Sequence, residues 1–166
     1  MEKKIKEKCI NKATKLYKDI REKMKLYNSK LEIFENLGYN YIPTPFEIAD
    51  AYNIRYQFIV LDGEMPSYCN KEQRTIYISK KYRKESYQAK FLCAHELGHF
   101  FMQKNKETAA MNNDILNRFL PMEIQKEYEA NVFALMVMPQ FMSGKPWEYY
   151  SPQKLNNDIY NKVFFR

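Results

Sequence analysis

Histidine is almost missing from this chain of 166 residues: there are two, His95 and His99. A metal site built on three histidines is therefore excluded. Cysteine is scarce too, with Cys9, Cys69 and Cys93 widely spaced and no C-x-x-C pair. That excludes a disulfide framework and a cysteine-type zinc site, and reads as reduced thiols in a cytoplasmic protein. No stretch approaches the roughly 18 to 20 uninterrupted apolar residues of a membrane span. The start Met1-Glu2-Lys3-Lys4 has no apolar run behind it, so no secretory signal is expected. Internal repeats, low-complexity tracts and flexible linkers are also lacking.

What is present argues for a packed globule, since 45% of residues are hydrophobic and 16% aromatic. The net charge of +7 is unevenly placed: residues 1–30 hold eleven Lys/Arg against four Asp/Glu, and the remainder balances at sixteen of each. Such a basic stripe can attract nucleic acid or an acidic partner, but a solvated helix face is the favoured reading.

Ile5, Cys9, Ala13, Leu16, Ile20, Met24, Tyr27, Leu31 and Phe34 recur every three or four residues, which predicts one long amphipathic helix ending near Gly38. Thr44-Pro45-Phe46-Glu47 is a capping box with proline at the first helical position, opening a short helix to about Tyr52. Two strand-like runs follow, Ile54 to Leu61 and Arg74 to Ser79, the second alternating as a half-exposed strand does. The stretch between them, with Pro66, Ser67 and Asn70, reads as a loop or an irregular strand. Helices are expected over 85–103, 108–120 and 121–138, with a last one near 152–162 behind Ser151-Pro152. The fold class is α+β, mostly helical with a small β-sheet. The expected organisation is a basic N-terminal helix at 1–40, a core at 41–141 and a C-terminal helical extension at 142–166.

His95-Glu96-Leu97-Gly98-His99 is an H-E-x-x-H motif on one of these helices. Its histidines stand one turn apart on one face and can bind one zinc ion per chain. Glu96, between them, can act as general base toward a water that the metal acidifies to a pKa of roughly 7. A catalytic zinc usually has three protein ligands, so a carboxylate or thiolate must join the histidines. The later helix offers Glu127 and Glu129, which point about 160° apart at 100° per residue and cannot both reach one metal. Glu127 is preferred, because Asn131 shares its face and can accept a hydrogen bond from a ligand histidine. Cys93 faces elsewhere and reads as a core residue. Peptide deformylases fit less well, since they want a glycine-rich strand motif and the chain has four glycines.

Taken together, Ala94-His95-Glu96-Leu97-Gly98-His99, Glu127-x-Glu129-Ala130-Asn131-x-Phe133-Ala134 and the closing Met138-Pro139 resemble the ImmA/IrrE family of metallo-endopeptidases. The Ile76-Tyr77-Ile78-Ser79 strand and the Pro45-x-x-Ile48-Ala49 helix fit the family's order. The resemblance implies a gluzincin-like core, with His95, His99 and Glu127 as zinc ligands and Glu96 as general base. It also implies a protein substrate, a helix-turn-helix repressor that the enzyme cleaves or inactivates. A non-catalytic zinc-binding regulator and one half of a toxin–antitoxin-like pair are the alternatives. Substrate is expected to add as a strand along a free sheet edge at Arg74, Ile76 and Ile78.

Overall fold

The computed structural model describes residues 2–27, 33–34, 36–38, 42–63, 65–103, 120–144 and 146–165. The element order is α1 (Glu2–Tyr27), α2 (Pro45–Ala51), β1 (Arg55–Ile59), β2 (Ser67–Asn70), β3 (Thr75–Ser79), α3 (Tyr87–Met102), α4 (Leu120–Val137) and α5 (Pro152–Phe164). Two 3-10 turns, Pro139–Met142 and Trp147–Tyr149, link the last two helices. The fold is thus α+β, mostly helical around one small sheet. The helix expected at 108–120 lies outside the described residues, apart from its last residue, which opens α4. The same holds for the continuation of α1 through 28–32.

Local chemistry sets the helix starts. Thr44 Oγ1 accepts from the Glu47 amide, and Glu47 Oε2 accepts from the Thr44 amide, closing the capping box that opens α2. Ser86 and Ser151 cap α3 and α5 in the same way, through the amides of Ala89 and Lys154. Each such cap contributes about 1 kcal/mol. At the other end of α3, Lys12 Nζ donates to the Met102 carbonyl and Lys71 Nζ to that of Gln103. Cations there satisfy carbonyls that the helix leaves unpaired and complement its dipole.

Helices α3 and α4 form the centre. Among the residues of α3, Ala89, Phe91, Leu92, Cys93, Ala94, Leu97 and Met102 are buried on several sides, and α4 is buried almost continuously from Tyr128 to Leu135. The two cross at Gly98, where an added Cβ would lie 2.7 Å from Ala130 Cα and 2.8 Å from its carbonyl oxygen. Only glycine permits that approach, since such a contact lies far inside van der Waals range. The sheet and α2 cover α3, while α1 and α5 pack on α4. Cys9, Ala13, Ile20 and Met24 of α1 join one core cluster with Leu155, Ile159 and Val163 of α5.

The strand order is β1-β3-β2, with β3 parallel to β1 and antiparallel to β2. This corrects the expectation that Arg74, Ile76 and Ile78 line a free edge. Strand β3 is central and hydrogen-bonded on both sides, and Ile76 and Ile78 are fully buried. Arg74 sits at positive φ in the hairpin, donates to the carbonyls of Tyr52 and Asn53 at the end of α2, and lies over the Phe100 ring. The segment read as loop or irregular strand is the regular edge strand β2.

A two-helix metal cradle as the candidate functional site

The tight crossing at Gly98 brings two helix faces together, one from α3 carrying His95 and His99, the other from α4 carrying Glu127 and Asn131. Glu127 Oε2 lies 3.2 Å from His95 Nε2, and Oε1 lies 3.1 Å from His99 Nε2. The two imidazole nitrogens are 3.0 Å apart. These three residues form the one group among the described residues whose donor atoms, all within 4.8 Å of one another, could hold a metal ion. The histidine side chains are 13% and 11% exposed and that of Glu127 46%, so the cluster is enclosed by protein at the imidazoles and open at the carboxylate.

The structure thus gathers Glu127, not Glu129, with the histidines. Glu129 accepts from Gln125 Nε2 and lies near α1. There the Cys9 thiol is pushed up to about 12 by burial and, secondarily, by the charge of Glu129. Cys93 is fully buried in the core, and all three cysteines are free thiols.

Asn131 lies beside His95, whose Nδ1 donates to its Oδ1 at 2.7 Å. That leaves His95 Nε2 as the nitrogen facing Glu127. Desolvation pushes the His99 imidazole down, but the hydrogen bond and charge of Glu127 outweigh it and hold it up at about 9. Partial desolvation raises the Glu127 carboxyl, yet the two imidazoles pull it well below the usual carboxylate range. The cluster favours a positive charge at its centre.

Glu96 is 3% exposed and lies between the cluster and the sheet. Its Oε1 accepts from Ser67 Oγ at 2.8 Å, while its buried Oε2 has no hydrogen-bond partner among the described residues. Ser67 belongs to β2, whose inward residues face α3.

A cleft of about 530 Å³ opens over the cluster, lined by β2, α3, α4 and α5. Sequence reasoning missed two of its polar residues, Ser67 and Asn156. Asn156 Oδ1 accepts from Asn131 Nδ2 at 2.7 Å, and Asn156 Nδ2 donates to the Ile124 carbonyl at 3.2 Å. Neither residue stands in a motif with its partner, so no local signal could have found them.

A family profile described as Peptidase_M78, IrrE N-terminal-like domain, matches residues 35–142. No curated protein and no solved structure matches the chain.

Proposed function

The chain belongs to the IrrE N-terminal-like family of metallopeptidases, and from that premise we propose that it is a zinc-dependent endopeptidase acting on a regulatory protein in the cytoplasm. The observation that carries this reading is the pair of contacts from Glu127 to both imidazoles across the helix crossing. Two nitrogens and one carboxylate suit a catalytic zinc, which keeps a further position for water or substrate. The buried, unpartnered Oε2 of Glu96 beside this cluster also fits, because a buried acceptor without a partner costs about 1–3 kcal/mol. Zinc held by His95, His99 and Glu127 would supply Lewis-acid chemistry, polarising the scissile carbonyl and acidifying a water.

The remaining steps belong to the chain's own residues. Glu96 takes the proton from the attacking water at Oε2 and later passes it to the leaving amine. The Ser67 hydroxyl holds Oε1, so that the free oxygen faces the reaction. Asn131 keeps the His95 ring turned with Nε2 toward Glu127, where it would be a ligand if zinc were held there. Negative charge on the carbonyl oxygen needs a donor, and no histidine is left. We assign Tyr160, which lines the cleft from α5.

The substrate strand, which cannot pair with β3, is assigned to the edge strand β2. Pro66 accepts from the Ser79 amide, so hydrogen-bonded pairs alternate from there, and the backbone groups of Ser67 and Cys69 face outward. An extended peptide can add there beside Glu96. The substrate we infer is a helix-turn-helix repressor, as the family resemblance implies. Residues 41–141 are read as a gluzincin-like catalytic core, with 1–40 and 142–166 as additions to it.

The test is co-expression with the helix-turn-helix regulator encoded nearest to it, beside a Glu96→Gln control, with the regulator followed by intact mass. Fragments with the wild type alone are expected, and the variant should lose a factor of about 10² to 10⁴ in rate while keeping its zinc. A zinc-loaded wild type that leaves this regulator whole would reject the substrate assignment; equal cleavage by both proteins would reject Glu96 as the base.

A further inference from the structure

We propose that Asn156 of α5 is a positioning residue that sets, through Asn131, which nitrogen of His95 is presented to the metal cluster. Three hydrogen bonds in series carry it: Asn156 Nδ2 to the Ile124 carbonyl at 3.2 Å, Asn131 Nδ2 to Asn156 Oδ1 at 2.7 Å, and His95 Nδ1 to Asn131 Oδ1 at 2.7 Å.

A carboxamide has a donor end and an acceptor end of nearly the same shape, so an isolated asparagine has two almost equivalent orientations. The series removes that degeneracy from one end. A backbone carbonyl can only accept, so Asn156 must turn its amino group toward Ile124. Its oxygen then faces Asn131, which must answer with its own amino group. The oxygen of Asn131 is left for His95, and only a proton on Nδ1 satisfies it. Nε2 of His95, 3.2 Å from Glu127, is thereby left to face the cluster, with its lone pair able to accept from His99 Nε2 at 3.0 Å. Reversing Asn131 would set acceptor against acceptor between it and Asn156, and reversing Asn156 would set donor against donor there and acceptor against acceptor at the Ile124 carbonyl; Asn131 is buried.

Asn156 lies beyond the residues that the family profile matches, so the ligand-bearing motifs do not contain this link. It makes α5 part of the site's polarity as well as of its wall. Its value for catalysis rests on the zinc-peptidase reading, but the relay itself exists without metal.

Because the chain has only two histidines, their ring nitrogens can be resolved by ¹⁵N NMR in the metal-free, full-length protein. In the wild type, His95 should carry its proton on Nδ1. Asn156→Ala should give a mixture of His95 tautomers, and zinc affinity by chelator competition should fall about tenfold, the low end for losing support of a ligand histidine. Asn156→Asp keeps an acceptor for Asn131, so the wild-type tautomer and near wild-type affinity should return despite a lower melting temperature. In an Asn131→Asp background both side-chain oxygens accept, so adding Asn156→Ala should no longer change the tautomer. Asn156→Asp decides the matter if the single alanine variant does not fold, because loss of the wild-type tautomer with the acceptor kept would overturn the proposal. A wild-type His95 pattern and affinity in Asn156→Ala, or an equal tautomer change in both backgrounds, would overturn the proposal. A wild type that shows the relay but takes up no zinc would uphold the proposal and reject the peptidase reading instead.

Discussion

Helices α1 and α5 look alike as sequences and lie against the same helix, α4, yet they serve it differently. Both are amphipathic, and each buries a stripe in the common core, Cys9, Ala13, Ile20 and Met24 from α1 and Leu155, Ile159 and Val163 from α5. No residue of α1 lines the cleft over His95, His99 and Glu127, whereas Asn156, Ile159 and Tyr160 of α5 do. The two glutamates of α4 divide the same way: Glu127 meets the histidines, and Glu129 lies near Cys9. An apolar stripe reports that a helix is buried; only the neighbours it meets decide whether it also takes part in chemistry.

That division can be sharpened by variants on its two sides. The largest contrast should come from the glutamates. Glu127→Ala should weaken zinc binding by well over tenfold in a chelator competition, since losing even an indirect support costs about 10- to 100-fold. Glu129→Ala should leave it unchanged, and equal losses would erase the distinction.

Next come the buried isoleucines. Ile20→Ala should cost about 2–5 kcal/mol in denaturant unfolding of the metal-free protein and leave the affinity of the folded form alone. Ile159→Ala should cost a similar amount and also lower peptide turnover, because that side chain lines the cleft. A smaller effect is expected at the shared crossing. Gly98→Ala should destabilise by about 1–3 kcal/mol through overpacking, and should weaken zinc binding because the ligand faces are pushed apart.

The smallest effect is one of pH on the metal-free protein. His99 is raised from an ordinary 6.5 to about 9, so its stabilising contribution is full below 6.5 and lost as pH rises through about 9. The carboxyl of Glu127 is depressed, so its contribution is present above its ordinary 4.5 and lost as pH falls toward its lowered value. Melting temperature should therefore decline between about pH 6.5 and 9 without metal, and much less with zinc bound, because the ion replaces the proton. A flat profile without metal would mean that the cluster does not hold this charge.

How much of this could be read from the sequence follows from how far apart the partners are. His95, Glu96 and His99 belong to one turn of one helix, and Glu127 with Asn131 to one turn of another. Residue spacing alone therefore placed each pair on a face. The strand order was not legible, because β1 and β3 pair in parallel across the intervening β2, and periodicity says nothing about which strand ends up central. Alternation in Arg74–Ser79 fits a strand with two unequal faces, but it does not distinguish an edge strand from a central one. Ser67 and Asn156 act only through residues 29 and 25 positions away, so nothing nearby distinguishes them from any loop serine or helical asparagine.

The contact at Gly98 has a consequence for anyone wishing to alter this protein. The three residues that could hold a metal are shared between two rods that touch backbone to backbone, so the spacing of those rods is the main geometric variable left to the donor set. Zinc retention then becomes a ruler for that spacing. A substitution anywhere in the core that wedges α3 from α4 should register first as lost metal, in a molecule whose circular dichroism still looks native.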